Sequence, residues 1–237
     1  MRAAHLHANV LTDPADLPEL VDLLLRRPGA ALLFDLDGTL IDSEPASVAA
    51  FQACFTARGW DVPESFIHDH FIGRRAPDVF RELDGPWHAV DPIELAAESL
   101  TYLDFAANPP RRLPGATAAF ESWVGRVPTA IVTSAPRAWA EQAIAIIGGP
   151  APDVLLAADS YVLGKPHPEP FLTACRDLGV DPYRALAFDD AVHGVRSART
   201  AGVGLVVGVT TWVAPLSLID AGAHATTPHL AALNSPS

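Results

Sequence analysis

Ala30-Ala31-Leu32-Leu33-Phe34-Asp35-Leu36-Asp37-Gly38-Thr39-Leu40 opens on an apolar run and closes on two carboxylates two residues apart. A short continuous apolar run suits a strand buried on both faces, the habit of parallel sheets covered by helices. Strand side chains alternate with period two, so Asp35 and Asp37 leave the strand end toward the same side. Gly38 then permits a sharp departure of the chain. A plain turn would also use Asp-x-Asp-Gly. A calcium loop would want a ligand at its fifth position, Gly at the sixth and Glu at the twelfth. Thr39, Leu40 and Ala46 stand there instead, and that reading fails.

The same grammar recurs downstream. Thr129–Val132 runs into Thr133 and Ser134, residues 185–188 into Asp189 and Asp190, and residues 204–208 toward Thr210 and Thr211, with a weaker run at 153–156. Helical stretches at Arg137–Ile147, Glu169–Leu178 and 192–201 separate them. Strand-helix alternation predicts an α/β fold with a doubly wound parallel sheet. Ligands bind such sheets at the carboxyl ends of the strands, where the polar residues just named fall.

The interval 46–112 breaks the alternation. It carries helical patterns at 48–58, 77–83 and 92–106 and ends in the Pro-rich stretch 108–115, which reads as a hinge. The expected division is a core of 1–45 and 113–237 with a helical insert at 46–112. Residues 1–29 read as an N-terminal appendage holding a helix over 13–27, with Asp13 as its cap and Pro14 in its first turn.

Composition bounds the function. Of 237 residues, 49% are hydrophobic and 19% charged, a globular mixture with ample core material. A formal net charge of -12 argues against nucleic acid, whose phosphates demand a basic stripe. A small phosphorylated metabolite is compatible, because a metal ion and a few local cations can reverse the field inside one cleft. Cys54 and Cys175 share no metal-ligand spacing and make no disulfide framework, which suits a reduced cytoplasmic compartment. The acidic N-terminal stretch has neither signal-peptide nor transit-peptide character, and no apolar run is long enough to span a membrane. A monomer or weak homodimer is expected. The scattered histidines, His5, His7, His224 and His229 among them, receive no catalytic role.

Asp35-x-Asp37-Gly38-Thr39 behind an apolar run resembles the first motif of the haloacid dehalogenase-like superfamily. Three further stretches match that family's motifs in order. They are Ile131-Val132-Thr133-Ser134, Gly164-Lys165-Pro166-His167-Pro168-Glu169-Pro170, and Phe188-Asp189-Asp190-Ala191-Val192-His193-Gly194-Val195 followed by Ala198 and Ala201-Gly202. The resemblance implies a Rossmann-like core with a small helical cap, and a magnesium-dependent phosphatase. It implies Asp35 as the nucleophile that forms an aspartyl-phosphate. Asp37 would protonate the leaving alcohol and then deprotonate the hydrolytic water. Thr133, Ser134 and Lys165 would hold the phosphoryl oxygens. Asp35, the backbone carbonyl of Asp37 and Asp190 would hold Mg2+, with Asp189 reaching it through water. Arg137, four residues after Thr133, is a further phosphate candidate from the next helix. In the cap, the Gly73-Arg74 step of Phe71-Ile72-Gly73-Arg74-Arg75 is the candidate loop for reading the leaving group.

Within the superfamily, Asp37 argues against the dehalogenase branch, which lacks an Asp at that place and uses no magnesium. Mutases of the β-phosphoglucomutase type carry a His twelve residues after the nucleophile, where this chain has Ser47. The nearest resemblance is to sugar phosphatases and to glycerol-phosphate and 2-deoxyglucose-6-phosphate phosphatases, with phosphoglycolate phosphatase on the same scaffold. A phosphosugar-binding protein without turnover would have no need of Asp35 and Asp37 together.

Overall fold

The computed structural model describes residues 17–233. Helix α1 (Leu17–Leu25) leads into strand β1 (Ala31–Phe34) and the short strand β2 (Ile41–Asp42). Four helices follow: α2 (Glu44–Ala57), α3 (Glu64–His70), α4 (Ala76–Glu82) and α5 (Pro92–Leu100). The short strand β3 (Arg111–Arg112) then precedes α6 (Ala116–Trp123), β4 (Thr129–Val132), α7 (Arg137–Ile147) and β5 (Val154–Leu156). The last stretch holds α8 (Glu169–Leu178), β6 (Ala185–Asp189), α9 (Val192–Thr200), β7 (Leu205–Val209), α10 (Pro215–Asp220) and β8 (Ala225–Thr227).

Six of these strands form one parallel sheet in the order β5-β4-β1-β6-β7-β8. Alternation along each strand feeds two cores. Leu32, Phe34, Ile131, Leu186 and Phe188 face α1, α6 and α7. Ala31, Leu33, Ala130, Val132, Ala185 and Ala187 face α8 and α9, the small side chains letting those helices approach. Phe34 and Phe188, paired across β1 and β6, stack at 5.4 Å between centroids. Truncating such a buried ring costs on the order of 3–5 kcal/mol. Strand order reverses at β1, whose neighbours are β4 and β6, so a crevice opens beyond the carboxyl ends of these three strands.

Helices α2 to α5 pack around a separate cluster that includes Phe55, Phe71, Phe80 and Trp87. The chain leaves the sheet through β2 and returns through β3, which pair antiparallel as Ile41↔Arg112 and Asp42↔Arg111.

Some local readings differ from the structure. Helix α1, expected as part of an appendage, buries Leu17, Val21 and Leu25 in the same core as Phe34, because its apolar face covers the sheet. Its expected cap, Asp13, and Pro14 lie outside the described residues. The helix expected over 92–106 stops at Leu100, because the Asp104 side chain accepts the backbone N–H groups of Ala106 and Ala107 and turns the chain. Helices α3, α6 and α10 and strand β8 went unread, being too short for either period to declare itself. Among the described residues no helix is long and apolar enough to cross a membrane.

Candidate active site

Three strand ends supply the polar groups. Asp35 follows β1, Thr133 follows β4, and Asp189 closes β6 with Asp190 directly after it. Lys165 arrives from the loop before α8 and is 2% exposed. Its Nζ donates to Asp35 Oδ1 at 2.6 Å and to Asp189 Oδ2 at 2.8 Å. Burial works against the Lys165 ammonium, yet the charges of Asp189 and Asp35 hold it above its ordinary value. Burial pushes the Asp35 carboxyl up against the pull of Lys165. It does the same to Asp190, where the Asp35 charge adds to it. Three buried carboxyls, Asp35, Asp189 and Asp190, have one buried ammonium, Lys165, close to them, so positive charge is short.

That shortage tests a metal site. Carboxylate oxygens of Asp35, Asp189 and Asp190 lie within 4.8 Å of one another, all buried. Hard oxygen donors so gathered fit Mg2+. Asp189 is engaged already, by Lys165 on one oxygen and the Ala191 N–H on the other. Among the described residues Asp190 has only a long 3.5 Å side-chain contact, from Thr39 Oγ1, so it is the freer donor. Gly38, at φ +84°, lets the chain pass over this carboxylate, since a Cβ there would fall 1.9 Å from Asp190 Oδ2.

Asp37 stands apart from Lys165 and is held by neutral donors. Ser43 Oγ and Trp139 Nε1 both donate to Oδ1, the indole at 2.7 Å, while Thr133 Oγ1 stands 3.5 Å from Oδ2. Burial raises the Asp37 carboxyl above its ordinary value, and the Ser43 and Trp139 donors moderate the rise. Two carboxyls close in sequence therefore have unlike surroundings, one against a buried ammonium and one against hydroxyl and indole.

The helical insert meets this crevice through the 73–75 loop. Ser134 Oγ donates to the Gly73 carbonyl at 3.1 Å. Gly73 has φ +73°, and a Cβ there would sit 2.4 Å from Ala191 Cβ, so the loop fits between two strand ends only as glycine. Arg75 ties the insert down: it pairs with Asp78 and donates to the carbonyls of Ala158, Tyr161 and Val162. Tyr161 beneath it donates to the Thr133 carbonyl at 2.7 Å.

Arg74 and Arg137 are each paired with a carboxylate outside the Asp35–Lys165 cluster. The Arg74 guanidinium pairs with Glu82, and its buried Nε has no partner among the described residues, at the rim of a cavity shared with Arg81, Leu163 and Lys165. Arg137 turns to Ser160 and Asp159 on the loop after β5, and among the described residues it shares no hydrogen bond with Asp35, Thr133 or Lys165. Each long side chain follows its nearest acceptor. Sequence reasoning missed Ser43, Glu44 and Trp139. Glu44 is 5% exposed, with one oxygen against His68 and the other without a partner among the described residues. The signal available for the first two was adjacency, since Asp42-Ser43-Glu44 continues the first motif.

Residues 30–202 match the haloacid dehalogenase-like hydrolase family. The chain belongs to that family. It is 38% identical over 184 residues to validoxylamine A 7'-phosphate phosphatase of Streptomyces hygroscopicus subsp. limoneus, covering 76% of this chain and 84% of that protein. It is 31% identical to a fructose-1-phosphate phosphatase of Escherichia coli K12, covering 75% and 95%. Its fold superposes on the crystal structure of a hydrolase from Pseudomonas syringae with a TM-score of 0.76 at 23% identity, covering 86% and 95%.

Proposed function

We propose that this chain is a magnesium-dependent phosphatase that hydrolyses a small sugar or polyol phosphate through an aspartyl-phosphate on Asp35. The observation that carries this is the pairing of Asp35, against Lys165 Nζ at 2.6 Å, with Asp37, held by donors of its own at the same strand end. An Asp35 oxygen attacks phosphorus, and the bond from phosphorus to the ester oxygen breaks. Asp37 gives that oxygen a proton, so the leaving group departs as an alcohol. Asp37 then takes a proton from water, whose oxygen attacks phosphorus, releases phosphate and restores Asp35. Lys165, the Thr133 hydroxyl and Ser134 neutralise and orient the phosphoryl oxygens. Asp35, the Asp37 carbonyl and Asp190 would hold Mg2+, with Asp189 behind them. The bound ion would screen the repulsion between an anionic nucleophile and an anionic ester.

The substrate class is supported by the two relatives, one named for validoxylamine A 7'-phosphate and one for fructose-1-phosphate. In this reading residues 46–112 are the cap, seated by Ser134 and Arg75, and its loop at Gly73 and Arg74 faces the leaving group. The test is phosphate release from a panel of sugar, polyol, glycolate and aryl phosphates, with Mg2+ and after exhaustive chelation. Release from hexose or polyol phosphates that stops on chelation and returns with Mg2+ is expected. Undiminished release without metal would remove the metal from the reading.

A further inference from the structure

Trp139 is the third residue of α7, and the phosphatase reading takes it only as one of the donors around Asp37. Its indole nevertheless has two partners at its two ends. Nε1 donates to Asp37 Oδ1 at 2.7 Å. The ring stacks on Phe105, with centroids 4.6 Å apart and planes 27° from parallel. Phe105 lies between α5 and β3, on the segment that brings the helical insert back to the core. One side chain thus joins Asp37 to the insert's return segment.

We propose that Trp139 is a positioning residue for Asp37, and that Phe105 makes its action depend on the seating of the insert. An indole N–H only donates, so Trp139 keeps its bond only while Oδ1 is the acceptor. Ser43 Oγ, whose hydroxyl can turn, meets the same oxygen. Oδ1 is held twice. Among the described residues Oδ2 has only the 3.5 Å approach of Thr133 Oγ1, and it is the oxygen left to face the ester oxygen. A carboxyl is otherwise free to rotate, and misplacement by about 1 Å at a reacting group can cost roughly a hundredfold. The stack on Phe105 fixes the plane of the indole, so a shift of the return segment would turn the N–H away from Asp37. This rests on the reading of Asp37 as leaving-group acid.

The experiment compares kcat/KM on glycerol phosphate, whose alkoxide needs a proton to leave, with 4-nitrophenyl phosphate, whose phenolate leaves without one. For this ratio only the steps up to leaving-group departure count. Trp139→Phe keeps a ring against Phe105 and removes the donor. It is expected to lower kcat/KM on glycerol phosphate by about 10- to 100-fold and on the aryl ester by less than about threefold. Phe105→Ala keeps the donor and is expected to show the same selectivity at smaller size. Equal losses on both esters, or no loss on glycerol phosphate, overturn the proposal, and a Phe105→Ala variant without selectivity overturns its link to the insert. Asp37→Asn separates the two levels. If it too lacks selectivity, the acid role of Asp37 fails; if it is selective where Trp139→Phe is not, the Trp139 proposal alone fails.

Discussion

The sheet and the helical insert bury apolar surface by opposite means. In the sheet, period-two alternation sends Leu32 and Phe34 to one core and Ala31 and Leu33 to the other, and register fixes each strand end to within a residue. In the insert, no strand sets a register beyond the two-residue tie of β2 and β3. Its order comes from aromatic rings packed edge to face, with Phe71 5.0 Å from Phe80 and Trp87 5.4 Å from Phe80. A hydrogen-bonded frame holds a reacting group to fractions of an ångström. A ring cluster can be repacked residue by residue while its outline stays. In the proposed function this difference is a division of labour: the sheet handles phosphorus, common to every substrate, and the insert the variable remainder.

The largest effect should come from the sheet. Asp35→Asn removes the nucleophilic charge and nearly preserves shape. Turnover on every ester should fall by at least about three orders of magnitude, with the fold intact by circular dichroism. Retention of a tenth of wild-type turnover would show that Asp35 does not attack phosphorus and that the sheet's register does not carry the chemistry.

The same contrast explains what the sequence disclosed. Asp35, Thr133, Asp189 and Asp190 were legible because each ends an apolar run, and a strand end is a local fact. Their convergence followed from the alternation of strand and helix. Trp139 was not legible, since its bond to Asp37 spans 102 residues and exists only once α7 is docked. Position alone makes Arg74 and Arg137 candidate ligand contacts, while their ion pairs with Glu82 and Asp159 are tertiary facts that no motif carries. Helix α1 read as an appendage because its apolar stripe does not say which surface it covers.

Second in size is a test of whether the insert is an independent unit. Trp87 is 2% exposed at the centre of the aromatic cluster. Trp87→Ala should cost about 3–5 kcal/mol, borne by the insert alone. Hydrogen exchange should speed in α3, α4 and α5 and stay slow in β1, β4 and β6. Equal loss of protection in the strands would make the two regions one cooperative unit and dissolve the comparison.

A smaller effect belongs to the insert's loop. A charged donor that orients a hydroxyl contributes on the order of 1–3 kcal/mol. Arg74→Ala should lower kcat/KM on a preferred hexose or polyol phosphate by about tenfold and barely affect an aryl phosphate. The ion pair with Glu82 adds a refinement: Glu82→Gln should free the guanidinium and change the sugar preference without touching aryl turnover. Equal loss on both substrates in Arg74→Ala would assign Arg74 to the phosphate or the fold. No loss on either would move the reading loop elsewhere in the insert.

The smallest effect returns to the sheet and concerns acid. His224 precedes β8 and its Nδ1 accepts the Val206 N–H at 2.9 Å, while Arg199 lies against its other nitrogen. Burial, with the Arg199 charge behind it, holds its pKa down at about 4, below the ordinary 6.5. Between those values the unfolded chain binds the proton and the folded chain resists it. Stability is therefore full above pH 6.5 and is lost as pH falls toward 4. Asp35 and Asp190, whose carboxyls are raised in the fold, push the other way at low pH, so the readout must be a difference between variants. Gln at 224 offers an amide oxygen to the Val206 N–H and cannot charge. His224→Gln should match wild type in Tm at neutral pH and exceed it by about 2–4 °C at the acid end of the window. A Tm difference that does not change with pH would show that His224 acts by packing alone. A difference confined to exchange in α2–α5 would show that the acid-sensitive contact lies in the insert and not in the sheet.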